Sequence, residues 1–210
     1  MKRDRHGKAK VLSHEEIQLL FTDGLKTLRD RTIFATALFT AARINEVVTL
    51  LTADIYDAKG RVRSHLTIRK ANTKGQLGTR SIPIIEDLQI LLIEYKPEAG
   101  KIYLFPGRYD RGHITSDSAD RVLRKACAKV GIEGVSTHSF RRTALTEMSD
   151  NQIPLMVIAK VSGHHSLGEL QEYLEVRDSQ VLGAMSSLAS LSPINNGGKV
   201  KLFRPANSKA

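Results

Sequence analysis

The sequence predicts a mainly α-helical fold with one small antiparallel β-sheet inserted in it. Three observations carry this reading. Apolar residues recur at helical spacing over most of the chain, and capping signals precede several of those stretches. One block near residues 60–85 changes to short β-prone runs broken by glycines.

The segment VLSHEEI opens the first helix: Ser13 stands at the N-cap, Glu16 at N3 completes a capping box, and Leu12 can staple to Ile17 at N4. This helix is expected to run to about Leu20 or Phe21. A second covers roughly 28–40. A third begins near Arg43 in ARINEVVTL, where Arg43 and Glu46 are three apart and share a face. In YDAKGRVRSHLTIRKANTKGQLGTRSIPI, Val62, Leu66 and Ile68, then Ile82 and Ile84, read as short strands broken by Gly60, Gly75 and Gly78, with Lys74 in the turn between them. Leu88, Leu91, Leu92 and Tyr95 keep a helical spacing that ends before Pro97. Phe105, Pro106 and Gly107 follow as a turn. A helix over about 117–130 has Gly131 at C′, and others fit 138–149, 154–161 with Pro154 near the first turn, and 168–187, with a break near Gly168. Asn195, Asn196, Gly197 and Gly198 then mark a turn before a basic tail. The expected organisation is a basic N-terminal segment (1–12), a folded domain (13–188) and a basic C-terminal tail (189–210).

A chain of 210 residues at 41% hydrophobic can bury one continuous core. It contains no 18-residue apolar run for a membrane span, and MKRDRHGKAK lacks the apolar stretch of a secretory signal, which points to a cytoplasmic protein with no membrane partner. The single cysteine, Cys127, cannot form an internal disulfide and sits among apolar positions, as a small core residue would. The net charge of +10 suits a polyanion partner, but eight of those charges sit at the ends. Lys2, Arg3, Arg5, Lys8 and Lys10 oppose only Asp4 at the start, and Lys199, Lys201, Arg204 and Lys209 meet no acid at the finish. Basicity therefore says little about the folded core.

The chemistry rests on six scattered residues: Arg43, Lys74, His138, Arg141, His164 and Tyr173. Gathered, they would supply three cations, two imidazoles and one phenol, a set suited to metal-free attack on a phosphodiester. Taken singly, each has an ordinary reading as well. Arg43 fits an ion pair with Glu46 as readily as a phosphate clamp oriented by it. His138 and Arg141, three apart in HSFRRT, fit a solvated helix face or a second clamp arm, with Arg142 one residue off that face as a backbone contact or surface charge. Tyr173 fits core packing, and His164 and His165 are equivalent by type. No Cys or carboxylate stands at metal-site spacing from those two histidines.

Taken together, these segments resemble the catalytic domain of the tyrosine recombinases, or phage-type integrases. ARINEVVTL is similar to the family's first arginine box, HSFRRT to its His-x-x-Arg box, and SGHHSLGELQEYL to its final box; TKGQLGTRSIPI is similar to its lysine hairpin. The resemblance spans about residues 11–180 in the family's order. It implies Arg43, Lys74, His138, Arg141, His164 (rather than His165) and Tyr173 as the catalytic set, with Glu46 as acidic companion and Lys70 as a second choice for the lysine. Ala41 and Ala42 stand where the family commonly has Gly-Leu, Phe140 where Leu is common, and Ser162 where Leu is usual before Gly163.

What the resemblance implies for function is site-specific recombination of double-stranded DNA through a 3′-phosphotyrosyl intermediate, without a cofactor or metal. It further implies a nucleoid location, a homo-oligomer on DNA in which the segment over 177–194 docks on a neighbour, and an accessory DNA-binding protein as a further partner. The basic segment with Lys2, Arg3, Arg5, Lys8 and Lys10, together with Arg142, would track the DNA backbone. In size the chain resembles the stand-alone invertases that switch fimbrial genes, which lack a separate core-binding domain. A catalytically inactive DNA-binding homologue and a type IB topoisomerase-like relaxing activity are the alternatives in the same chemistry.

Overall fold

The computed structural model describes residues 9–72, 78–110, 112–164, 166–171 and 178–191. The chain divides into two compact units, Met1–Leu174 and Glu175–Ala210.

In the first unit, α1 (His14–Leu19) starts as its sequence predicts. Ser13 Oγ accepts from the Glu16 N–H at 3.2 Å, and Glu16 Oε2 accepts from the Ser13 N–H at 3.1 Å. The expected end at Leu20 or Phe21 needs correction, because the chain continues as a wider π turn, Leu20–Gly24, closed by Leu25 N donating to Leu20 O at 2.8 Å. Leu20 and Leu25 are both buried by it, and the turn packs on α5 (Ser116–Lys129). Burial of those two leucines overrides the ordinary helical end.

The centre of the unit is α2 (Leu28–Thr40), which packs against α4 (Glu86–Tyr95) and α6 (Thr137–Asp150). Ile33, Phe34, Ala35 and Ala37 are buried, and so are Thr32, Thr36 and Thr40. Those threonines tolerate burial because each hydroxyl donates to the carbonyl four residues back. Phe34 of α2 stacks on Phe140 of α6 with centroids 5.0 Å apart. That contact fixes the height of α6 on α2 and so places Arg141 beside the end of α2.

The sheet consists of β1 (His65–Ile68) and β2 (Arg80–Pro83), antiparallel, with Leu66 opposite Ile82 and Ile68 opposite Arg80. Leu66, Ile68 and Ile82 are buried. The expected strand at Val62 is reduced to a single bridge with Tyr56, and Ile84 lies beyond β2. The helices after the sheet follow the sequence closely. α4 gives way to a 3₁₀ turn at Lys96–Glu98 containing Pro97, and α5 ends ahead of Gly131 at φ +70°. α7 (Leu155–Ser162) follows Pro154 and ends on Gly163 at φ +72°. Of the expected helix over 168–187, the described residues hold α8 (Leu167–Gln171) and, in the second unit, α9 (Asp178–Ser187). Gly168 lies inside α8 and does not break it; Ser166 Oγ accepts from its N–H at 3.1 Å, so the start falls one residue earlier.

In the second unit, α9 and the 3₁₀ turn Leu188–Leu191 expose Val181, Leu182, Met185, Leu188 and Leu191. Among the described residues no helix is long and apolar enough to cross a membrane.

Candidate active site

Arg43 is the residue that starts α3 (Ile44–Val48), with extended backbone at φ −70°, ψ 146°. Its N–H donates to Glu46 Oε2 at 2.8 Å, so the carboxylate closes the first turn. The guanidinium of Arg43 reaches the same carboxylate only at 3.4 Å, and its side chain is 22% exposed. Glu46 itself is 1% exposed. Its principal partner is Arg80 of β2, which donates Nη2 to Oε2 at 2.9 Å and Nη1 to Oε1 at 3.2 Å. Burial alone would raise the Glu46 pKa. The hydrogen bonds and charge of Arg80, the Arg43 N–H and the charge of Arg141 prevail and hold it below the usual carboxylate value, so Glu46 is an anion.

Arg141 is 1% exposed, the largest side chain buried so completely among the described residues. Its Nη1 donates to the carbonyls of Ala41 at 2.6 Å and Ser162 at 2.9 Å. Ala41 caps α2 in the left-handed conformation (φ 49°), and Ser162 is the last residue of α7. Arg141 thus binds two carbonyls left unpaired at helix ends, which rewards a guanidinium at that depth.

His164 follows Gly163 and is 8% exposed. Its Nε2 lies 3.0 Å from Arg141 Nη2, and its Nδ1 lies 2.7 Å from Ser162 Oγ. The Ser162 hydroxyl donates to Ile158 O at 2.7 Å. Its one proton being used there, it accepts from Nδ1–H, and Nε2 carries the lone pair. Burial, then the charges of Arg141, Arg43 and Arg80, push the His164 pKa down to about 4, against an opposing pull from Glu46. The imidazole is neutral at neutral pH.

Arg43, Arg80 and Arg141 therefore stand around a single carboxylate and a neutral imidazole, an excess of two positive charges. Such a group receives an oxyanion well: Arg43 stays accessible at the rim while Arg141 is held rigidly behind it. Among the described residues no three His, Cys, Asp or Glu side chains gather as a metal site.

Of the residues the sequence singles out, Arg43, Glu46, Arg141 and His164 come together. His138 is the second residue of α6, exposed, one turn before Arg141. Lys70 is exposed in the 3₁₀ turn after β1, its N–H on Thr79 Oγ1 at 3.2 Å. Lys74 and Tyr173 lie outside the described residues, as do Lys2, Arg3, Arg5 and Lys8. Lys10 pairs with Glu16, and Arg142 donates to the Ala9 carbonyl at 2.6 Å. Sequence reasoning missed Arg80. A signal for it exists: strand alternation puts Arg80 on the same face as buried Ile82, and an inward cation requires an anion.

The phage integrase family model matches residues 10–180. The chain belongs to that family. It is 26% identical over 167 residues to the probable integrase/recombinase YoeC of Bacillus subtilis, covering 79% of this chain and 88% of that one. It is 30% identical over 158 residues to the tyrosine recombinase XerD of Mycobacterium tuberculosis, covering 72% of this chain and 49% of that one. It thus spans most of YoeC but about half the length of XerD. Its fold is similar to that of the Tn1549 transposon integrase solved in complex with transposon right end DNA, with a TM-score of 0.71 at 16% identity, over 89% of this chain and 68% of that one. The chain accordingly has the mainly helical tyrosine recombinase catalytic-domain fold with a two-stranded sheet. Two of the chain's departures from the family's boxes fall at the helix ends that Arg141 holds. Ala41 takes a left-handed cap that Gly would adopt more readily, and nothing in the structure explains Ala there, whereas Ser162 adds a hydroxyl on His164 that Leu would lack.

Proposed function

We propose that this chain is a site-specific DNA recombinase that cleaves and rejoins strands through a 3′-phosphotyrosyl intermediate on Tyr173. The observation that carries the reading is the gathering of Arg43, Arg141 and His164 about the Arg80–Glu46 pair. Similarity to XerD and to an integrase solved with transposon DNA supports duplex DNA as the partner.

In this mechanism Tyr173 Oη attacks the scissile phosphorus, the bond to the 5′-oxygen breaks, and the strand is held as a 3′-phosphotyrosine. The phosphodiester energy is conserved, so no ATP is consumed. Arg43 and Arg141 donate to the non-bridging oxygens, where charge grows in the transition state. His164 meets the phosphate as a third donor, and an anion at Nε2 favours its protonation. Lys74, or Lys70 in its place, protonates the leaving 5′-oxygen, and His138 assists proton transfer at Tyr173. Attack by a second duplex's 5′-hydroxyl completes recombination.

Residues 13–188 act as the catalytic domain, and the basic segments 1–12 and 189–210, with Arg142, hold the DNA backbone on the nucleoid. The exposed apolar face of α9 suits a segment donated to a neighbouring copy, coupling cleavage to assembly. Inversion or integration is the outcome, with an accessory DNA-binding protein assisting. Incubation with a suicide duplex carrying inverted-repeat sites, followed by denaturing electrophoresis, is expected to yield a covalent adduct that Tyr173→Phe abolishes. An adduct that survives this change would move the nucleophile elsewhere, and none on any duplex would favour the inactive homologue.

A further inference from the structure

We infer that Arg80 is a positioning residue of this site: by occupying both oxygens of Glu46 it leaves the guanidinium of Arg43 available to the phosphate. The inference rests on the reading above only for the identity of the anion.

Local chemistry favours the opposite pairing. Arg43 and Glu46 are three residues apart in one helical turn, and a carboxylate that is 1% exposed demands a cation. Arg43 is the cation the sequence provides nearby. Yet its guanidinium makes only the 3.4 Å contact, while Arg80, 34 residues away, makes the parallel two-point pair at 2.9 and 3.2 Å. A guanidinium fork takes the shorter bonds of a carboxylate that would otherwise draw Arg43 further inward. The sheet is what delivers it: Arg80 sits opposite Ile68, two residues before buried Ile82, on the inward side of β2.

The same side chain passes against the turn that presents His164. A Cβ on Gly163 would stand 2.1 Å from Arg80 Nη1 and 2.8 Å from its Cδ and Cζ. Glycine at 163 is therefore required twice, by φ +72° and by the room Arg80 occupies. One cation braces the start of α3, which carries Arg43, and the end of α7, which leads to His164. Its guanidinium gives one N–H of each Nη to Glu46 and the side chain is only 10% exposed, so Arg80 lies behind Arg43, which is 22% exposed at the rim. That separates a positioning role from direct contact with phosphate.

The test uses the full chain, native and as Arg80→Lys and Arg80→Met/Glu46→Gln, with inorganic phosphate as the probe. Arginine side-chain ¹⁵N NMR follows rotation of the Arg43 guanidinium. Arg80→Lys keeps the charge but loses the fork, so Arg43 rotation is expected to slow about threefold or more as it closes on Glu46, and phosphate affinity to fall roughly tenfold. The double variant removes both charges and is expected to restore free rotation and most of the affinity. Unchanged Arg43 rotation in Arg80→Lys overturns the inference, and so does a double variant in which Arg43 stays slowed. Should Arg80→Lys fail to fold, the double variant alone decides: fast Arg43 rotation together with phosphate binding supports the inference, and slow rotation overturns it. Phosphate that leaves Arg43 and Arg141 unshifted in the native chain counts against the phosphate site, whereas Arg43 rotation still decides the role of Arg80.

Discussion

Arg141 donates to the carbonyl of Ala41 at 2.6 Å across 100 residues of sequence, tying the helix of the HSFRRT box to the left-handed end of α2. The same Nη1 holds the Ser162 carbonyl, so three helices share one guanidinium. A lysine could keep the charge but would act as a single point, without a second planar arm toward a phosphate. Arg141→Lys is expected to lower stability by about 1–3 kcal/mol, as one buried carbonyl loses its donor. Adduct formation on the suicide duplex should fall about a hundredfold or more. Urea unfolding and adduct kinetics check the two effects separately, and a stable variant of native rate would remove Arg141 from the site.

His164 makes stability depend on pH. Its pKa is pushed down to about 4 in the folded chain, by burial and then by Arg141, Arg43 and Arg80. The unfolded chain, near the ordinary histidine value of about 6.5, therefore binds more protons in between. The stabilisation is complete above the unfolded value and is lost as pH falls from about 6.5 toward 4, to a limit of roughly 3 kcal/mol. His164→Gln should flatten that part of the stability profile. A native curve that stays level over the interval would show the imidazole to be solvated. Phosphate binding at pH 6 should in turn take up protons, measurable by calorimetry in buffers of different ionisation enthalpy.

Two glycines with nearly the same φ separate turn strain from close approach. Gly131 (φ +70°) has open space where a Cβ would go, while at Gly163 (φ +72°) the space belongs to Arg80. Gly131→Ala is expected to cost about 1–2 kcal/mol and leave cleavage near native. Gly163→Ala should cost more than that and also suppress adduct formation, because Arg80 must leave Glu46. Equal melting temperatures and equal adduct yields in the two variants would mean that Arg80 yields its place freely.

The start of the described chain is docked on α6 beside Arg141. The Leu12 N–H donates to Thr143 Oγ1 at 2.9 Å, and Arg142 reaches the Ala9 carbonyl. Thr143→Val strands a buried N–H and should cost about 1–2 kcal/mol. Hydrogen exchange at Leu12 is expected to quicken in step, and unchanged protection there would place its bond elsewhere.

Much of the fold was legible because its signals act over a few residues. The Ser13–Glu16 box, the breadth of α2, the end of α4 before Pro97 and of α5 before Gly131 all depend on contacts within about one helical turn. Of the site, the boxes around Arg43, Arg141 and His164 could be read as residue types in order. The π turn at Leu20–Gly24 and the start of α8 at Leu167 could not, since burial of Leu20 and a hydroxyl from Ser166 decided them.

By itself the sequence determined the helical frame with one small sheet, the boxes that carry the phage integrase family, and a cluster of cations in need of an anion. Only the tertiary structure decided which cation answers Glu46. Arg43 is adjacent in sequence, but Arg80 has the distance and planar approach for a two-point pair, and that approach depends on the register of β2 against β1. An ion pair is chosen by angstroms and desolvation, which a residue's neighbours along the chain do not specify.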